Sequence, residues 1–132
     1  MKMVHGLPVL LVAATLGLGA CATGRNVQVQ SDATPTARQG VQVNVQNDNT
    51  NDMDVYVMGG GQVWRLGHVT GLSNATLTIP AGIVASSPQL RLLADPLAAF
   101  NAYLSDPITV TSGDTVQFQI GSALGLSNVS VF

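Results

Sequence analysis

"VQVNVQ", Val41 to Gln46, sets valine at every odd position and an amide at every even one. Side chains along a strand point alternately to its two faces, so this stretch has one dry face and one wet face. A helix would scatter the same valines around its circumference. The wet face is polar without being charged, and that character recurs along the chain. "TVQFQI" at 115–120 repeats it, with Val116, Phe118 and Ile120 on the dry side and Gln117 and Gln119 on the wet side.

The neighbouring stretches keep the same period. "DVYVM" at 54–58 is apolar on both faces and is expected to lie centrally in a sheet. Gly59-Gly60-Gly61 supplies the positive φ angles of a tight hairpin. "QVWRLGHV" at 62–69 then returns antiparallel. "ATLTI" at 75–79, "QLRLLA" at 89–94 and "NVSVF" at 128–132 read as further short strands. "ITVT" at 108–111 is expected to meet 115–120 through the Ser112-Gly113-Asp114 turn. "DPLAAFNAYL" at 95–104 allows two readings. One is a helix capped by Asp95, with Leu97, Phe100 and Leu104 on one face. The other is a loop leading into a short strand at 102–104. About seven or eight short strands in this span imply an all-β fold, an antiparallel β-sandwich that is immunoglobulin-like in the loose sense. No Cys–Trp–Cys pattern marks a true immunoglobulin domain. "GLSNATL" at 71–77 and "GLSNVSV" at 125–131 echo each other as a turn and a strand start.

The chain's one cysteine lies outside this domain, in "LGLGACATG". Lys2 is followed by an uncharged run from Gly6 to Leu18. That run is shorter than the roughly 20 residues a membrane-spanning helix needs, and its order of charge and apolar residues is that of a signal peptide. Leu18-Gly19-Ala20-Cys21 resembles the lipobox of bacterial lipoproteins. The resemblance covers positions 1–21. It implies a signal peptide at 1–20, cleavage between Ala20 and Cys21, and acyl chains on Cys21. Several acyl chains anchor stably where one binds marginally. Ala22 stands where, in Gram-negative lipoproteins, an aspartate retains the protein at the inner membrane, so the resemblance implies an outer-membrane location in the cell envelope. Residues 21–40 then form the lipidated terminus and a polar linker, and 41–132 the sandwich. Fully extended, about 19 linker residues reach ~60 Å.

Composition narrows the function. Once residues 1–20 are set aside, Arg25, Arg38, Arg65 and Arg91 face seven aspartates, with no lysine and no glutamate. There is no basic patch to neutralise phosphates, so nucleic acid is not an expected partner. No disulfide is available to the domain, and one core must carry the fold.

The candidate sites each have a plainer alternative. "NDNTNDMD" gathers Asp48, Asp52 and Asp54, the hard oxygen ligands that calcium prefers. The EF-hand register fails at Met53 and Gly59, so no metal site is assigned and the stretch reads as a solvated loop. His68, the only histidine after His5, is poor material for zinc, which needs three or four ligands. Neither "GLSNA" nor "GLSNV" completes a nucleophile elbow. No enzymatic activity and no cofactor are expected. If Val63 faces inward, Trp64 faces out beside Tyr56, and the two rings form a platform for a glycan. Otherwise Trp64 belongs to the core. Asn74-Ala75-Thr76 and Asn128-Val129-Ser130 match a glycosylation sequon but read as turn residues before strands.

The spacing of "NDMDVYV", "RLGHV", "TIP", "LRLLADP" and "ITVTSGDTV" also resembles small bacterial envelope lipoproteins with β-sandwich domains. It spans about 47–120 and implies the fold without a catalytic residue. The expected function is that of a lipid-anchored interaction or assembly module with an envelope protein as partner. The alternative is a glycan- or ligand-binding module using Trp64 and Tyr56.

Overall fold

The structure, a computed structural model, describes residues 39–132. The expected signal segment, Ala20, Cys21 and nearly all of the linker lie outside the described residues. The strands are β1 (Val41–Asn47), β2 (Met53–Gly59), β3 (Gln62–Val69), β4 (Ser73–Ile79), β5 (Arg91–Pro96), β6 (Tyr103–Leu104), β7 (Thr115–Ile120) and β8 (Asn128–Val131). They form two four-stranded sheets, β4-β1-β7-β8 and β3-β2-β5-β6. The fold is an all-β sandwich.

The core lies between the sheets and comes from the alternation. Val41, Val43, Val45, Val116, Phe118 and Ile120 face Met53, Val55, Val57, Leu92 and Ala94, all of them buried. Burying each such side chain contributes roughly 1.5–3 kcal/mol before the cost of ordering the chain. β2 is central in its sheet, as expected. Only one of its faces is dry, because Asp54, Tyr56 and Met58 are half-exposed. The β2–β3 hairpin turns on Gly60 (φ 58°) and Gly61 (φ 80°), with Gly59 opposite Gln62. Two consecutive positive φ angles make the tight two-residue turn that matches strand twist.

Three expectations are corrected. First, β1 runs parallel to β7, with Val43 opposite Val116 and Val45 opposite Phe118; the other pairings are antiparallel. Second, residues 108–111 do not pair with 115–120. The intervening turn forms, with Asp114 accepting from the Thr111 amide at 2.7 Å and Gly113 at φ 95°. Both sides of β7 are taken by β1 and β8, whose valines seal the core. Ile108 instead bridges to Leu90. Third, no helix forms at 95–104. Pro96 ends β5, and Leu97, Phe100 and Leu104 stay exposed. The strand reading of that segment is the one realised, pairing Tyr103 with Ala94 and Leu104 with Leu93. A short helix, α1 (Ala81–Ser86), does occur after Pro80, too brief to display a helical period and burying only Ile83.

One margin of the sandwich is closed. At the β3–β4 margin, Gly67 lies so close to Leu77 that a Cβ there would sit 2.7 Å from Leu77 Cδ2. At the opposite margin a depression lies between β8 and the segment from Tyr103 to Ile108.

Candidate functional sites

A bulge in β3 builds the main polar constellation. Register shifts between Val55, opposite Gly67, and Tyr56, opposite Arg65, which leaves Leu66 as the extra residue. The bulge re-phases the strand, so Arg65 and His68 both project on the outer face with Asp54. Asp54 accepts from Arg65 Nη2 at 2.7 Å and lies 3.1 Å from His68 Nδ1. His68 Nε2 is 3.5 Å from Asp52. The Arg65 hydrogen bond, with help from His68, holds the Asp54 carboxyl below the usual carboxylate range despite partial burial. This is a surface ion-pair network; both His68 nitrogens face carboxylates.

Of the two readings of Trp64, the structure shows the one in which it packs on the core, and Trp64 and Tyr56 are not brought together. Trp64 is opposite Val57 and Tyr56 opposite Arg65. Opposed residues share a face, so Trp64 leans on the core and Tyr56 points to the outer face. Val63, not Trp64, is the exposed member, at 52%. The premise that Val63 faces inward fails because the two-residue turn fixes the phase: Val63 is opposite half-exposed Met58.

The acid-rich stretch at 47–54 is a structural hub. Asn47 is buried and donates to the carbonyls of Asn51, Val69 and Thr70. Asn49, also buried, donates to the carbonyls of Gly121 and Ser122. Asp52 accepts from the Gly71 amide at 2.8 Å, and its own carbonyl accepts from Leu97 at 3.0 Å. Each carboxylate has its own donor: Asp48 takes Gln119 and Gln46, Asp52 takes Gly71, and Asp54 takes Arg65. Among the described residues no group of three His, Cys, Asp or Glu side chains is placed to hold a metal.

Two surfaces take their form only from the strand topology. The first is the outer face of the β4-β1-β7-β8 sheet. Strand register arranges it in three rows: Thr78-Gln42-Thr115-Phe132, Thr76-Asn44-Gln117-Ser130 and Asn74-Gln46-Gln119-Asn128. No side chain in these rows carries a charge. Asp48 closes the last row, its carboxyl held low by hydrogen bonds from Gln119 and Gln46. A shallow depression of about 400 Å³ opens between Asn44, Gln46, Asn74, Thr76 and Gln117.

The second surface is the end where β1 finishes. The chain enters the sandwich at Val41, and the loops 48–52, 70–72, 97–102 and 121–127 lie at the other end. They carry exposed Leu72, Leu97, Phe100 and Leu126. Leu72 is the only non-glycine residue with positive φ among the described residues, at 57°. That conformation costs an L-residue roughly 1–2 kcal/mol, and the Leu72 amide is held by the Asn49 carbonyl at 2.9 Å. Both GLSN echoes sit at this end, each starting an edge strand of the same sheet. Among the described residues no helix is long and apolar enough to cross a membrane.

No protein-family model matches the chain, and no curated protein is similar to it in sequence. Among solved structures it is similar to an NMR structure of a protein from Eubacterium rectale, at 6% identity and a TM-score of 0.46, over 74% of this chain and 92% of that one.

Proposed function

We propose that this chain is a non-catalytic, lipid-anchored protein of the cell envelope, held at the outer membrane through Cys21, whose sandwich is an interaction and assembly module. The Leu18-Gly19-Ala20-Cys21 sequence supports the anchor. The loop end far from Val41 supports the interaction: it exposes Leu72, Leu97, Phe100 and Leu126, the loops of Leu72 and Leu126 are tied by buried Asn47 and Asn49, and the Leu97 amide is tied to the Asp52 carbonyl. Fixed loops lose little freedom on binding, so their apolar contacts are not spent on ordering. The described loops at this end hold Asp48 and Asp52 and no arginine. The partner is therefore a protein with an apolar centre and a basic rim.

The test is crosslinking of the tagged full chain in cells, with a Phe100→Asp/Leu126→Asp variant alongside. A discrete adduct that the variant loses several-fold, at unchanged abundance, is expected. Absence of an adduct at native expression, or an adduct indifferent to the substitutions, contradicts the assembly role. The second reading, a glycan-binding module, would then rest on the uncharged amide and hydroxyl rows rather than on Trp64 and Tyr56, because Gln and Asn both donate and accept as sugar hydroxyls do.

A further inference from the structure

Proteins blunt exposed sheet edges with charge, proline, bulges or brevity. Three of the four edges here are managed. β3 is bulged and carries Arg65 and His68. β6 has only two residues. β4 packs beside β3 through Leu77 and Gly67. β8 has none of these devices: "NVSV" is β-prone, uncharged and without proline. It ends the sheet at the open margin.

Hydrogen bonding shows which of its groups have no partner among the described residues. Thr115 and Phe132 exchange both amide bonds, at 3.1 and 2.9 Å. Antiparallel pairs alternate between bonded and non-bonded, so Ser130 and Asn128 also bond inward to Gln117 and Gln119. The amides and carbonyls of Val129 and Val131 therefore point away from β7. Beside them lies a depression of about 190 Å³, between β8 and the segment carrying Tyr103 and Ile108; Asp106 is its one charged neighbour.

We infer that the β8 edge is a self-association edge whose occupant is β8 of a second copy of this chain. The two outward residues flank Ser130 symmetrically. A two-fold axis at Ser130 sets Val129 of each copy opposite Val131 of the other, which satisfies both outward amide pairs on each strand. Identical strands brought together place like beside like, a penalty where they carry charge. β8 carries none, and the outer rows it would join are also uncharged. The two sheets would continue into one across the axis. This surface is separate from the loop end and does not depend on the lipid anchor.

The test uses the full chain with Cys21→Ser, so that a cysteine introduced at 130 is the only thiol. The axis brings the two copies' residues at 130 to a non-hydrogen-bonded pair with Cα atoms about 4.5 Å apart, within disulfide reach. Mild oxidation of Ser130→Cys is expected to give a covalent dimer as the main species. Thr76→Cys, on the same face at the far edge, is expected to give several-fold less. In sedimentation the chain with its native Ser130 is expected to be a dimer at micromolar concentration. Val129→Pro, which removes an outward amide and spares the inward ladder, is expected to be a monomer with an unchanged circular-dichroism spectrum. A monomer with native Ser130, equal crosslinking at 76 and 130, or a folded Val129→Pro dimer overturns the proposal. Should Val129→Pro fail to fold, the 130-against-76 comparison decides it.

Discussion

Asn49 links chain segments that the sequence separates widely. Its side chain spans to Gly121 and Ser122 carbonyls, more than seventy positions along, and its carbonyl holds Leu72. Truncation would leave buried carbonyls without donors. Asn49→Ala is expected to lower stability by about 1–3 kcal/mol, read by urea denaturation, while exposed Thr50→Ala is expected to change little. "NDNTND" reads as a solvated loop, whereas its Asn47 and Asn49 are buried and tie neighbouring loops together. Nothing local marks that role, because their partners come from the β3–β4 and β7–β8 loops. Leu72 shows the same limit. The "TGLS" stretch reads as a turn, and the positive φ in it falls on Leu72 rather than on its neighbour Gly71. A Cβ on Gly71 would meet the Thr50 backbone, so that glycine serves a close approach instead.

At the scale of elements, β2 and β3 combine a turn that was legible with a bulge that was not. Three glycines between alternating strands announce the hairpin. The eight residues of "QVWRLGHV" fit either phase, so the bulge at Leu66, and with it the placing of Trp64 and His68, could not be read from pattern alone. The bulge makes the Asp54 network, and that network makes stability depend on pH. The folded Asp54 carboxyl is held below its unfolded value of about 3.9. Its contribution is therefore present above that value and is lost as pH falls through the lowered folded value. Asp54→Asn is expected to be less stable than wild type at about pH 5, with the gap closing below roughly pH 4. Denaturation midpoints measured for both chains across that range check it; a gap that persists at pH 2 would speak against the network.

For the molecule as a whole, the alternation of Val41, Val43 and Val45 with amides was enough to give two packed sheets. It did not give the order of strands. Sequential pairing suggested a 108–111 hairpin partner for β7, whereas burial of Val43 and Val45 against Val116 and Phe118 selects the parallel β1. The polar character of one binding surface was legible, but the arrangement of both surfaces was not, for the same reason. Rows across four strands and a cluster of four loop ends exist only once the topology does. The proposed function sets this sandwich at a membrane through Cys21. Intact-mass spectrometry of the protein isolated from its own membranes tests this most directly. The account expects a chain that begins at Cys21 and carries the added mass of a diacylglyceryl group, with or without a further acyl chain on its amine. A chain that begins elsewhere, or one with an unmodified Cys21 thiol, would contradict it.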